Sequence, residues 1–308
     1  MARRRKGRPV HGWVLVDKPS GLTSTQVVGR VRRVYDAQKV GHGGTLDPIA
    51  TGLLPIALGE ATKTVAYVME GGKSYSFTLR WGQATDTDDI EGEVVAESPR
   101  RPEPAEIEAA LPAFRGEIEQ TPPAFSAIKV AGRRAYDLAR SKEPVTLEPR
   151  LVTVTRFELV AVDGPDDATF VVDCGKGTYM RALARDLGRR LGTHAHLVKL
   201  RRTAVGGFTE EHAISLESLE SLGHSAAAFG HLHPVETGLD GIPALALTEM
   251  EASRLRCGQA VSMLARSDLE RVGHLHQGET VCAMSAGKPV ALARFEAGDL
   301  RPLRVLNL

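Results

Sequence analysis

The sequence predicts an α+β fold with a small β-rich unit near its C-terminal end. Three observations carry this. Residues 74–82 alternate, with Tyr75, Phe77, Leu79 and Trp81 on one side and Ser74, Ser76, Thr78 and Arg80 on the other, the period of a half-buried strand. Two more strand-like runs, 151–162 and 168–174, flank a turn at Asp163-Gly164-Pro165. Helical stripes are interspersed with them: Val27, Val28, Val31, Val34 and Tyr35 in the first, and Met180, Leu183, Ala184, Leu187 and Leu191 in the second.

Each element has a local reason. Gly12 to Asp17 reads as a buried strand, ended by the turn Lys18-Pro19-Ser20-Gly21. Thr23-x-x-Gln26 is a capping box that opens the first helix. Residues 53–69 are an apolar helical or mixed segment, 104–111 a short helix, and 121–130 a strand beginning at Thr121-Pro122-Pro123. Lys199-Leu200-Arg201-Arg202-Thr203 starts a strand and 209–222 is an amphipathic helix. Residues 223–243, rich in Gly, Ala, His and Pro, read as a linker. From Leu245 one helix precedes short strands with a hairpin signal at Ser285-Ala286-Gly287-Lys288.

The 308 residues suffice for one sizeable core or two domains. Apolar content of 42% and charged content of 25% are those of a soluble globular protein, and no apolar run approaches a membrane span. Three scattered cysteines (Cys174, Cys257, Cys282) suggest buried thiols in a reducing cytoplasm, without a zinc framework. Residues 1–9 are expected to be a disordered basic tail, and no apolar segment follows to make them a secretory signal. Net charge is only +1, but its distribution is uneven. Residues 82–120 carry eleven acids and three bases, whereas 176–202 carry eight bases and the single acid Asp186. A polyanion would meet the second region; two solvated faces of opposite sign would look the same.

The densest stretch is Gly41-His42-Gly43-Gly44-Thr45-Leu46-Asp47-Pro48-Ile49-Ala50-Thr51-Gly52-Leu53-Leu54. Its glycines permit sharp turns or close approach, and Pro48 keeps Asp47 out of the helical region. Asp47 therefore sits on a stiff loop beside apolar residues that pack inward, a fit place for a nucleophile. On composition alone, a glycine-rich turn with a capping aspartate accounts for the same residues.

This stretch resembles the signature loop of the TruB family of tRNA pseudouridine synthases, Gly-His-x-Gly-Thr-Leu-Asp-Pro-x-Ala-x-Gly-Leu-Leu, without a gap. The family makes pseudouridine-55 in the T-loop of tRNA. The resemblance implies that Asp47 is the catalytic nucleophile and that His42 helps hold the target base out of its stack. It also implies a pseudouridine-synthase fold, with a mixed, mostly antiparallel central sheet flanked by helices and loops, and a PUA-like RNA-binding domain over 244–308. Asp17-Lys18-Pro19-x-Gly21-x-Thr23-Ser24 matches a family segment expected to pack beneath the loop. Tyr75, just after Lys73-Ser74, matches a tyrosine that lies against the target base.

Two further blocks agree. Ser126-Ala127-x-Lys129-x-x-Gly132-x-x-x-Tyr136-x-x-Ala139-Arg140 resembles part of an insertion that closes over the T-loop. Residues 125–150 hold six bases and three acids, with Gly132, Pro144 and Pro149, as a basic RNA clamp should. Cys174-x-Lys176-Gly177-Thr178-Tyr179-x-Arg181 resembles the third family motif, with Gly175 where serine is usual. By that resemblance Arg181 pairs with Asp47 and joins Asp47 and Tyr75 in the catalytic set, Tyr179 lines the uridine pocket, and Leu200 of Leu200-Arg201-Arg202-Thr203 backs the base. Residues 10–222 would form the catalytic domain.

The implied reaction breaks the bond between ribose C1′ and uracil N1, turns the base and joins C1′ to C5. It is redox-neutral and needs no cofactor; it needs a positioned carboxylate, a dry pocket and a flipped base. Charge alone suggests phosphate contacts from Arg185, Arg189, Arg201 and Arg202. The expected partner is the tRNA T-arm stem-loop, bound by a monomer without membrane or metal. The acidic turn 85–93 lacks EF-hand spacing, the pairs His194/His196, His231/His233 and His274/His276 lack a ligand set, and Gly71-Gly72-Lys73-Ser74 fails as a P-loop because Tyr67 stands at its first glycine. The alternatives are a non-catalytic RNA-binding or tRNA-folding protein and a guide-RNA-dependent relative.

Overall fold

The structure, a computed structural model, describes residues 7–126, 129–130, 133–134 and 147–308. The expectations for residues 1–6, and for 127–128, 131–132 and 135–146 of the basic clamp, lie outside them.

In chain order the first half comprises β1 (Gly12–Lys18), α1 (Ser24–Tyr35), β2 (Val40–His42), β3 (Thr51–Leu58), α2 (Val65–Glu70), β4 (Lys73–Trp81), β5 (Gln83–Thr85), β6 (Val94–Glu97), α3 (Pro104–Ala110) and β7 (Gly116–Gln120). The short pair β8 (Lys129–Val130) and β9 (Arg133–Arg134) follows, then β10 (Arg150–Asp163), β11 (Asp167–Cys174), α4 (Met180–Arg190), β12 (Ala195–Val205), β13 (Phe208–Thr209), β14 (Ile214–Ser215), α5 (Leu216–Leu222) and α6 (Ala226–Phe229). The last part holds β15 (Ala244–Ala246), α7 (Glu249–Arg256), β16 (Val261–Ser262), α8 (Leu269–Val272), β17 (Thr280–Ser285), β18 (Lys288–Glu296) and β19 (Asp299–Val305).

Ten strands form one sheet, in the order β14-β1-β3-β12-β4-β11-β10-β7, with β2 on β3 and β13 on β12. Only β1/β14 and β3/β12 pair in parallel, so the sheet is mixed and mostly antiparallel. β4 lies in its interior, and the alternation seen in the sequence becomes burial of Tyr75, Phe77, Leu79 and Trp81. Helix α1 begins at the Thr23/Gln26 capping box and buries Val27, Val31, Val34 and Tyr35 in the same core. Helix α4 adds Met180, Leu183, Ala184 and Leu187. A second sheet, β15-β17-β18-β19-β16, has its own core around Leu255, Val281, Ala291 and Leu300. Its β17–β18 hairpin turns at Ala286 and Gly287, both at positive φ (49° and 74°), as a two-residue turn requires.

Four expectations change. Arg8 is ordered: its amide donates to the Asp36 carbonyl at 2.6 Å and its guanidinium lies over the Phe229 ring. The strand expected from Thr121 is instead Gly116–Gln120, because Pro122 and Pro123 have no N–H to extend the ladder. Between Phe208 and Ser215 the chain pairs with β12 and then β1, so the helix starts only at Leu216, where Ser215 caps the Ser218 amide. The supposed linker 223–243 is folded. Its small residues serve close approach: Ala228 is buried and its carbonyl accepts from the Tyr35 hydroxyl at 2.6 Å, and a Cβ on Gly238 would lie 2.5 Å from Trp13 Nε1.

Candidate active site

Asp47 stands at a point where four separate elements hold the loop's backbone. Lys18, at the end of β1 and fully buried, donates from Nζ to the carbonyls of Pro19 (2.9 Å), Leu22 (2.6 Å) and Pro48 (3.1 Å). Ser24 Oγ donates to the Leu46 carbonyl (3.1 Å) and accepts from the Leu46 amide (2.9 Å). The Gly21 amide donates to the Pro48 carbonyl, and Ser20 Oγ to that of Ile49. Arg202, on β12, donates to Leu53 and Gly44 carbonyls at 2.9 and 3.0 Å. The segment 17–24 thus packs beneath the loop, as expected.

With its backbone fixed, the Asp47 side chain projects to a half-exposed position (36%) and meets Arg181 Nη2 at 2.9 Å. Arg181 itself is 5% exposed. Its guanidinium also donates to the Thr87 and Phe125 carbonyls and lies 3.6 Å from Asp89. The acidic turn 85–93 is therefore the second wall of the site. Next along α4, Arg185 binds Asp88 at 2.8 Å, Asp186 at 2.9 Å and the Thr121 carbonyl at 2.7 Å.

The other expected residues lie on β2, β4, β12 and the segment before α4. Tyr75 is buried on β4, and burial raises its phenol pKa, partly offset by the neighbouring Arg202 charge. Leu200 and Arg202 on β12 stand opposite Phe77 and Tyr75, so Tyr75, Leu200 and Arg202 share one face. Tyr179 precedes α4 half-buried, its amide donating to Gln120 Oε1 and its carbonyl accepting from Gln120 Nε2. His42 lies on β2, where burial and then the Arg202 charge lower its pKa, so the neutral ring is favoured.

The charge-based phosphate contacts fare differently. Arg202 is 1% exposed and faces inward. Arg185 is engaged by Asp88 and Asp186, and Arg201 by Asp17 and Glu210. Arg189, 67% exposed, retains the accessible position expected of it. Net charge along the sequence could not distinguish them, because the fold brings Asp88 to Arg185 and Asp17 to Arg201, and backbone carbonyls to Arg202. Sequence reasoning does not find Asp88, Asp89, Gln120 or the inward role of Arg202; for Lys18 and Ser24 it finds the segment but not the bonds they make. One signal existed: in a strand, adjacent Arg201 and Arg202 must face opposite ways. Among the described residues no group of His, Cys, Asp or Glu is placed to hold a metal, and no helix is long and apolar enough to cross a membrane.

Comparison with known proteins agrees with this geometry. Residues 32–180 match the TruB family pseudouridylate synthase N-terminal domain, and 181–240 the tRNA pseudouridylate synthase B C-terminal domain. Curated tRNA pseudouridine synthase B sequences from Rhodospirillum rubrum and Caulobacter vibrioides are each 54% identical, with all of both chains covered in either case. Among solved structures, a chain of a Cbf5-Nop10-Gar1 complex superposes with a TM-score of 0.73 at 25% identity, covering 96% of this chain and 84% of its own. A chain of an H/ACA RNP bound to a substrate RNA containing 2'-deoxyuridine gives 0.74 at 23%, covering 100% and 92%, and shares the fold. The chain belongs to the TruB family of pseudouridylate synthases.

Proposed function

We propose that the protein isomerises uridine to pseudouridine at position 55 in the T-loop of tRNA, with Asp47 as nucleophile acting on a base flipped out of its stack. The observation that carries this is the Asp47–Arg181 pair at 2.9 Å, with a buried guanidinium and an accessible carboxylate. A glycosidase of the usual kind would instead set two opposed carboxylates around the bond to be broken. Here Asp89 lies on the far side of the same guanidinium, which it shares with Asp47.

In this reading Arg181 orients the carboxylate and offsets charge that shifts as the glycosidic bond breaks. Tyr75 and Leu200 form the apolar floor on which the uracil turns, Tyr179 a side wall, and the neutral His42 ring fills the space the base vacates. No redox partner or cofactor enters, because bonds broken and formed balance: C1′–N1 and C5–H are lost, C1′–C5 and N1–H are gained, the C5 hydrogen leaves to water as a proton while N1 takes one up, and Asp47 is released unchanged.

RNA would meet the accessible end of α4 at Arg189, with residues 125–150 as a clamp and 244–308 as a PUA-like RNA-binding unit. Action on tRNA is the reading the relatives' names favour; that the protein acts as a cytoplasmic monomer is part of the proposal. The test is tritium release from a T-loop stem-loop labelled at uridine C5, with binding measured alongside. Release by wild type and none by Asp47→Asn at equal binding is the expected result. Binding without release by the wild type would favour a tRNA-folding protein or a guide-dependent enzyme. Release by both proteins would remove Asp47 from the mechanism.

A further inference from the structure

Arg202 is a fully buried cation with no carboxylate among its partners in the described residues. Its Nε donates to Leu53 O (2.9 Å), Nη2 to Gly44 O (3.0 Å), and Nη1 approaches Thr45 O at 3.5 Å. Gly44 and Thr45 precede Asp47 by three and two residues; Leu53 follows it by six. One planar guanidinium thus spans both limbs of the nucleophile loop. On the strand side Arg202 pairs with Tyr75 across β4 and with Gly52 across β3.

The loop is shaped around this side chain. Gly44 holds φ +117°, and a Cβ there would lie 3.3 Å from Arg202 Nη1. Gly52 holds φ +92°, and a Cβ would lie 2.3 Å from the Arg202 carbonyl oxygen. Two glycines of the signature stretch therefore admit Arg202 and its strand. Stability alone does not explain a cation here, since apolar side chains of similar volume often replace buried charges without loss. A rigid fork can, however, hold carbonyls of both limbs at once beside the cross-strand Tyr75, as an aliphatic chain cannot.

We propose that Arg202 is the positioning residue of this site, locking the two limbs of the Asp47 loop to each other and to Tyr75. This rests on the reading of Asp47 and Tyr75 as the reacting groups. Arg202 touches no substrate; it acts through the loop's backbone and the Tyr75 ring. The lowered His42 pKa, to which the Arg202 charge contributes after burial, accords with a guanidinium seated directly under the site.

The experiment compares wild type, Asp47→Asn, Arg202→Lys and Arg202→Met, each first checked by circular dichroism and thermal melting. Single-turnover tritium release and stem-loop affinity are then measured separately. Lysine keeps the charge but cannot fork between Gly44 and Leu53. Arg202→Lys is expected to bind RNA as wild type does and to lose about 10²-fold in single-turnover rate, the scale of an ångström-sized misplacement. Tyr75→Phe should then cost less in the Arg202→Lys background than in wild type, because the two act as a unit. In folded Arg202→Met, the His42 ring should titrate higher by NMR. Full rate in Arg202→Lys, additive losses with Tyr75→Phe, or failure of both Arg202 variants to fold would overturn the proposal in favour of a merely structural cation. Loss of activity in Asp47→Asn with full rate in Arg202→Lys would sink this inference alone, whereas activity in Asp47→Asn would sink the reading beneath it.

Discussion

The two walls of the site are held by opposite chemistry. The Asp47 loop is tied through its backbone carbonyls to two buried cations, Lys18 and Arg202, and to the Ser24 hydroxyl. The acidic turn facing it is tied through its side chains, Asp88 to Arg185 and Asp89 to Arg181. The first arrangement fixes a loop without consuming the carboxylate it carries. The second uses its carboxylates to seat arginines. If Asp47 is the reacting acid, as proposed, the two kinds of acid are separated in this way: Asp47 is positioned from behind.

The strongest way to break the contrast is to neutralise the Asp47 carboxylate. Asp47→Asn keeps the loop's backbone bonds and should fold as wild type, yet lose about 10⁴-fold or more in single-turnover release. A melting temperature lowered along with the rate would mean that Asp47, like Asp88 and Asp89, is chiefly structural. Next comes the acidic wall. Arg185→Met leaves Asp88, its side chain 15% exposed, without its nearest cation, and should cost stability, though less than the cost of about 3–5 kcal/mol for breaking a fully buried pair. Burial already raises the Asp88 pKa against the pull of Arg185. The sign follows. A carboxyl whose folded pKa lies above the unfolded value favours the fold when protonated and loses that contribution as pH rises. Read as melting temperature against pH, the Arg185→Met deficit should therefore shrink as pH falls toward the ordinary Asp range from above, because without the cation the folded-state pKa rises further. A deficit independent of pH would assign the loss to packing instead. A smaller effect is expected behind the loop. Ser24→Ala strands the buried amide and carbonyl of Leu46, costing about 1–3 kcal/mol. Because this loosens the loop, the rate should fall while stem-loop affinity holds; unchanged kinetics would show that Lys18 and Arg202 suffice.

The two walls also differ in how legible they were. The Asp47 loop could be read from its residues: glycines, a proline and an isolated aspartate are local signals, and the capping box at Thr23 fixed the helix behind it. The alternation of 74–82 was equally local. The acidic wall was not, because what makes Asp88 and Asp89 important is their distance in space to Arg185 and Arg181, about a hundred positions on. Arg185, Arg201 and Arg202 looked like RNA contacts for the same reason: charge summed along the chain ignores partners brought in by the sheet. The supposed linker at 223–243 failed differently. Small residues signal either freedom or close packing, and only Tyr35 and Trp13, pressed against Ala228 and Gly238, decide which.

Lys18 offers the finest test of the carbonyl-held wall. Burial lowers its pKa to about 8, with attraction to Asp47 and Glu91 opposing the shift. Below that pH the ammonium has three N–H groups for three carbonyls, Pro19, Leu22 and Pro48. Above it, the amine has two, and the Pro48 contact, the longest at 3.1 Å and the one nearest Asp47, is the expected loss. Stability moves the other way. Between about 8 and the ordinary lysine value of 10.5 the unfolded chain binds more protons than the folded one, so the Lys18 contribution to stability rises with pH. The prediction is a descending limb in the single-turnover rate of wild type near pH 8, without a matching fall in melting temperature from this residue. Lys18→Met, slower throughout because it supplies no donor, should lack that limb. If wild type and Lys18→Met decline together above pH 8, some other group titrates there, and Lys18 holds the loop in either protonation state.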